Sequence, residues 1–348
     1  MQSIERASWN PISALLLIAP FFLWGTAMVA MKGVIPHTSP LFMAGVRVIP
    51  AGVLILVAAI FMGRPQPRGW KAWLWICGFA LIDVSLFQGF LAEGLVRTGA
   101  GLGSIMIDSQ PLAVALLSLW LFGDRIGIWG WLGLVLGVGG ISLIGIPDEF
   151  LFSIFTDNLT SNSLGWQSIF VGGEWLMLLA ALSMAIGTVS IRFVSRHADV
   201  VTATGWHMII GGLPLWGLSG WKESQQWQNL AGNDWIALAY ATIFGSAIAY
   251  GLFFYFASRG NLTSLSSLTF LTPVFALLFG NLLLQETLTS LQWTGVSFTL
   301  VSIFLINRRD MLSGKKSPET LKEITSTSSQ PVSAVTIPVR ESEVDMVP

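Results

Sequence analysis

DRIGIWGWLG (residues 124–133) and ETLTSLQWTG (residues 286–295) carry an acid, a tryptophan and a glycine in one register, 162 residues apart. The register extends outward without a gap over residues 73–144. It pairs Trp73 with Trp235, Gly89 with Gly251, Arg97 with Arg259, Pro111 with Pro273, Asp124 with Glu286, Trp131 with Trp293 and Gly133 with Gly295. Only 12 of those 72 positions are identical, and leucine matches are cheap in an apolar chain, so the weight rests on the Trp, Arg and Pro matches. Upstream, an offset of 160 pairs Val29 with Val189, Lys32 with Arg192, Gly45 with Gly205 and Gly52 with Gly212. A duplicated apolar unit is how many membrane carriers are built, with the substrate site between the copies.

The 348 residues are 53% hydrophobic and 11% charged, and the mean hydropathy is +0.69. Soluble domains are about a quarter charged, and the polar helix faces a soluble protein needs are missing. The sequence therefore predicts an all-α integral membrane protein. Ten apolar blocks of near-spanning length are expected at 12–31, 40–62, 72–93, 101–122, 127–146, 173–194, 200–219, 234–257, 262–284 and 290–307. Residues 12–146 and 173–307 form two five-helix repeats. Residues 147–172 are an acidic external loop with a sequon at Asn158-Leu159-Thr160, and 308–348 a polar, disordered cytoplasmic tail. With the N-terminus inside, fourteen Lys/Arg fall on the cytoplasmic side and only Lys32, Arg97 and Lys222 outside, so both termini are placed in the cytoplasm. An odd number of spans per copy makes the repeats inverted in topology. A net charge of −1 suggests no nucleic acid, and the single Cys77 permits no intrachain disulfide.

These landmarks resemble the drug/metabolite transporter superfamily, EamA type. Trp24-Gly25-Thr26-Ala27-Met28-Val29-Ala30-Met31-Lys32 is similar to the family's first-helix signature, and Arg47 in the second helix fits its pattern. Pro111…Asp124…Gly133 and Pro273…Glu286…Gly295 resemble the end of each repeat, with Asp124 standing where the family usually has Glu. The resemblance covers residues 12–307. It implies a permease for small metabolites, amino-acid or drug-like compounds among them.

Ionisable groups inside a bilayer are costly, so each invites a functional reading. Arg47 and Asp108 fall at matched depth, each seven residues into its span. They read either as a structural bridge or, for Asp108, as a proton carrier assisted by Asp83 or Glu93. The register matches Arg47 with His207, Asp83 with Gly245, Gln88 with Tyr250, Glu93 with Tyr255 and Asp108 with Phe270. Polar members thus sit in the first copy and mainly aromatic members in the second, as one cavity framed by both would need. Trp24 and Trp206 read as a stacking wall or as packing. Lys32 reads as a snorkelling or cavity-edge group. Pro111 and Pro273 read as kinks that free backbone groups. Asp124 and Glu286 read as helix-end charges, and Gly133 and Gly137 as a GxxxG packing or homodimer contact.

A secondary transporter working by alternating access and coupled to protons is expected, its partners being a small-molecule substrate and the lipid bilayer. No cofactor, metal site or catalytic residue is expected. No nucleotide-binding loop, H-E-x-x-H or G-x-S-x-G occurs, and His37, His197 and His207 are scattered. A membrane-embedded enzyme acting on lipid, or a non-transporting membrane partner, stands as the alternative. With no Arg/Ser-rich leader, a plasma (inner) membrane location is expected.

Overall fold

The computed structural model describes residues 11–97, 106–145, 173–284 and 289–312. The acidic loop, residues 313–348 of the tail and Glu286 lie outside the described residues, while residues 308–312, expected in the disordered tail, continue the last helix. In order, the α-helices are α1 (Pro11–Lys32), α2 (Pro40–Phe61), α3 (Trp70–Ala80), α4 (Phe87–Arg97), α5 (Gln110–Phe122), α6 (Gly127–Gly145), α7 (Glu174–Val194), α8 (Val200–Lys222), α9 (Gly232–Tyr240), α10 (Ala249–Ala257), α11 (Leu262–Ser267), α12 (Leu271–Leu284) and α13 (Ser290–Leu312). Among the described residues there is no strand. Among the described residues, eight segments are long and apolar enough to cross a membrane. Two further expected blocks are also helical. Met106–Phe122 is shorter, and α8 has 23 residues but buries Thr202, Thr204, His207 and Ser219. The outer surface is greasy, with Phe61 87%, Trp120 80% and Trp221 80% exposed. Such a surface suits lipid and would aggregate in water.

Two helix pairs form the frame, and in each the partners are equivalent members of the two copies. In the first pair, α2 lies on α8. A Cβ on Gly52 would meet Ile209, and one on Gly212 would meet Ile49; one on Gly205 would meet Leu56, and one on Gly45 would overlap Trp216. By the 160-residue offset these contacts are two contacts, each seen twice with the copies exchanged. The second pair, α6 on α13, repeats the pattern. A Cβ on Gly140 would lie 2.7 Å from the Gly295 carbonyl, and one on Gly133 would lie 3.0 Å from the Ser302 carbonyl. Contacts that survive exchange define a two-fold relation. As residue number rises along one helix it falls along the partner, so each pair runs antiparallel. Glycine is required here because the backbones themselves touch.

The third segment of each copy carries a π-helical stretch at the same place, Leu81–Leu86 between α3 and α4 and Ala241–Ile248 between α9 and α10. One extra residue in a turn re-aims the side chains around it. In the first copy it buries Asp83 to 1% exposure. Asp83 lies so close to Gly187 that a Cβ there would come within 2.6 Å of both its Cβ and Cγ. In the second copy Gly245 faces Ala27 instead, whose Cβ is 2.5 Å from where a Cβ on Gly245 would stand. Since Ala27 corresponds to Gly187, the copies have traded bulk across the same contact.

Pro111 and Pro273 stand in the first turns of α5 and α12, within the longer helical runs Met106–Phe122 and Leu262–Leu282. A proline has no N–H to bond the carbonyl four residues back, so the regular helix is interrupted in the turn before it. The break falls just before each one, at Ser109 and at the 3₁₀ turn Leu268–Phe270. At one end of the molecule the Glu223 carboxylate, following α8, accepts from Leu41 N (2.9 Å), Phe42 N (3.0 Å) and the Ser39 hydroxyl (2.7 Å). A carboxylate at a helix N-terminus satisfies free amides and complements the dipole. It ties the second copy to the start of α2.

Candidate functional site

Gln88 Nε2 donates to the Tyr250 hydroxyl at 3.2 Å. These residues are equivalents, 162 positions apart, so their contact marks the pseudo-two-fold axis. Arg47 reaches the same point from α2, with Nη2 3.4 Å from Gln88 Oε1 and Nη1 3.2 Å from Met31 Sδ. From α1, the Trp24 ring packs against Tyr250 (5.3 Å between centroids) and Phe253 (5.1 Å). Trp24 and Arg47 remain half-buried. Trp24 Nε1 and Arg47 Nε are buried without a hydrogen-bond partner. The site is thus a knot of four side chains drawn from both copies, two of which keep a buried donor without a partner.

Behind it lies a second polar contact. His207 Nε2 is 3.2 Å from Asp83 Oδ2, and both side chains are buried to 0% and 1% exposure. The imidazole stacks on Phe79 (4.0 Å, 15° between planes) and meets Phe254 edge-on at 5.4 Å. Its Nδ1 is 2.5 Å from the Thr204 carbonyl. A carbonyl only accepts, so Nδ1 carries a hydrogen. Nε2 then bears a lone pair unless protonated. Facing a carboxylate, it must share a proton with it, either as a carboxylic acid donating to imidazole or as imidazolium donating to carboxylate. Asp83 Oδ1 is buried with no partner. Phe254, 5.9 Å from Tyr250, joins the pair to the axial knot.

Of the residues singled out in the sequence, Trp24, Arg47, Gln88 and Tyr250 therefore meet at one point, and Asp83 and His207 meet beside it. Others stand apart. Trp206 donates to Gln66 Oε1 (3.0 Å) and packs on Trp73 at 5.1 Å, by the connection between α2 and α3. The Tyr255 ring lies under the Arg259 guanidinium at 4.4 Å. Glu93 pairs with Arg97 one turn on (2.8 Å) at the surface. Asp108 is half-buried just ahead of α5, and the Lys32 side chain lies outside the described residues. Asp124, in the turn before α6, buries Oδ2 without a hydrogen-bond partner. The Gly133–Gly137 face is covered by Ser302, Ile306 and Phe270 of the same chain, so it is a seam within the protein and not a dimer surface. Sequence reading missed Gly187 as the niche for Asp83, Phe79 as the shelf for His207, and Glu223 as the cap of α2. For Gly187 a signal existed, because the second copy carries glycine at both 187 and 245 where the first has Ala27 and Asp83.

A duplicated helical bundle with a greasy exterior and a polar knot on its internal axis defines a multi-pass membrane carrier. The profile of the EamA-like transporter family matches residues 11–146 and 171–308, and the chain belongs to that family. An uncharacterized transporter of Synechocystis sp. is 63% identical over 314 residues, covering 90% of this chain and 94% of the relative. A chloroplastic WAT1-related protein of Arabidopsis thaliana is 55% identical over 296 residues, covering 84% and 68% respectively. A solved crystal structure superposes with a TM-score of 0.71 at 15% identity, over 85% of this chain and 98% of that one; this likeness concerns the fold alone. The protein is a membrane transporter.

Proposed function

We propose that the protein is a proton-coupled secondary transporter of small metabolites that works by alternating access. Its ten spans form two copies inverted across the bilayer, both termini are cytoplasmic, and the membrane is the plasma (inner) membrane. The observation that carries this reading is the Gln88–Tyr250 contact between equivalent residues. A site on the axis between inverted halves is equally placed for opening to either side. The antiparallel seams support the same reading, since each can serve as the pivot for one half rocking against the other.

Coupling runs through Asp83 and His207. Their geometry requires one shared proton, and its loss would leave an uncompensated charge among Phe79, Phe254 and Gly187, which is costly in a packed apolar interior. Neither group reaches water in this conformation, so proton exchange demands movement of the Leu81–Leu86 stretch against α8. That requirement links protonation to the opening of the halves. Asp108 is the second carboxylate to be tested.

The test uses purified protein in liposomes enclosing a pH-sensitive dye. A pH gradient is imposed and metabolite pools are added. Asp83→Asn can still donate a hydrogen bond to His207 Nε2 but holds no titratable proton. Wild type should discharge the gradient with at least one pool. The variant should lose that discharge while keeping exchange of the same substrate. Discharge by Asp83→Asn at the wild-type rate would refute the role of Asp83, and the same result for Asp108→Asn would remove Asp108.

A further inference from the structure

The two-fold relation sets His207 and Arg47 in corresponding places, and likewise Asp83 and Gly245. In one arrangement the cationic partner has its acid, with His207 3.2 Å from Asp83. In the other, Arg47 stands where the corresponding acid is a glycine. Helix α2 packs against the Ala241–Ile248 segment that carries Gly245, yet that position supplies no side chain. The described ion pairs include His37–Asp234, Arg64–Asp199, Arg97–Glu93 and His207–Asp83, and none of these includes Arg47.

The guanidinium is held only weakly. One terminal nitrogen meets a thioether and the other a long contact to an amide oxygen, while Nε has no acceptor. Guanidinium offers five N–H donors and cannot shed its charge. A charged group inside a bundle without a counter-charge carries a large desolvation cost. The indole N–H of Trp24 is likewise buried without a partner, and its ring packs with Tyr250 and Phe253.

We infer that the cargo is a small monocarboxylate with an apolar body, and that its carboxylate supplies to Arg47 the counter-charge that Asp83 supplies to His207. A carboxylate matches the planar fork of arginine with two parallel hydrogen bonds. It would displace Met31 Sδ and the Gln88 amide oxygen, both poor acceptors as placed. Its body would lie on Trp24 and Tyr250. Gln88, released from Arg47, keeps its bond to Tyr250. This rests on the transporter reading above for the word cargo, but the site itself is a binding claim and can fail or stand separately.

The experiment measures ligand-induced thermal stabilisation of the full chain in detergent, with a panel of monocarboxylates each paired with its primary amide. 3-Phenylpropanoate with 3-phenylpropanamide and pentanoate with pentanamide anchor the panel, and chloride and phosphate are inorganic controls. At least one carboxylate should stabilise wild type, and its amide should not. Arg47→Gln should weaken the affinity for that carboxylate by about ten- to a hundredfold, as loss of a hydrogen bond to a charged group does. Arg47→Lys, which keeps the charge and guards against misfolding of the glutamine variant, should retain an intermediate affinity. The inference is overturned if no carboxylate in the panel stabilises wild type, or if amides or inorganic anions do so equally. It is also overturned if the response is the same in Arg47→Gln and Arg47→Lys as in wild type. Counterflow of the binding carboxylate in liposomes is read in parallel. Carboxylate binding without counterflow would sink the transporter reading and leave the site, whereas counterflow of amides independent of Arg47 would do the reverse.

Discussion

Gly187→Ala is the smallest change that tests the traded-bulk contact between the copies. The new methyl group would stand 2.6 Å from Cβ and Cγ of Asp83, where carbon atoms in contact keep about 3.5–4.0 Å. Roughly an ångström must therefore be found, and the backbone carbonyls around α3 and α8 leave little slack, since a Cβ on Gly211 would already stand 2.5 Å from the Ala80 carbonyl. Overpacking of this kind costs about 1–3 kcal/mol. Removing the obstacle should remove the cost. In an Asp83→Gly background, Gly187→Ala rebuilds the Ala27–Gly245 arrangement of the other copy, and its cost should fall to within about 0.5 kcal/mol of zero. The four proteins of this double-mutant cycle are compared by reversible unfolding in mixed micelles, followed by tryptophan fluorescence. The interaction between the two sites should be about 1–3 kcal/mol, with the double variant more stable than the sum of the singles predicts. If Gly187→Ala is as stable as wild type, or equally costly with and without Asp83, the argument from exchange symmetry is wrong at this contact.

Two further expectations concern the frame and the surface. Gly140→Leu should reduce the folded, monodisperse fraction in detergent sharply, because any side chain there meets the Gly295 carbonyl at 2.7 Å and Thr299 N at 2.9 Å. Gly139→Leu, one residue away with nothing within 4 Å, should elute like wild type; similar behaviour of the two variants would contradict the α6–α13 seam. Glu93→Gln breaks only an exposed pair with Arg97, so stability should change by under about 1 kcal/mol and proton-driven transport should persist. Loss of that transport would put Glu93 back on the proton path.

The class of fold was legible because each of its causes is local: length, apolarity and turn chemistry are visible in a window of twenty residues. The repeat was legible through Trp, Arg and Pro matches. Four members of the axial knot, Trp24, Arg47, Gln88 and Tyr250, were also among the residues singled out, because polar and aromatic groups in apolar spans stand out. Their partners were less accessible. Register matched Arg47 with His207, but a match between equivalents says which residues share a role and not which ones touch. Only the two-fold operation turns the matches 47/207 and 83/245 into the contact between His207 and Asp83. The π-helical stretches were invisible because the extra residue in the turn leaves no mark in composition. Trp206 and Tyr255 misled for the converse reason: their residue types suited a binding wall, but helix length carried them away from the knot, to Gln66 and Arg259.

At the Gln88–Tyr250 contact a place in one copy meets the same place in the other. Two separate identical chains assembled about such an axis would be forced to set like against like there, glutamine on glutamine or tyrosine on tyrosine. Joining the copies in one polypeptide lifts that constraint at the single point where it binds hardest. The chain can then be lopsided at its centre, a cation on one side and rings on the other, while its seams stay even. A ligand bound there is held in one orientation, not in two equivalent ones.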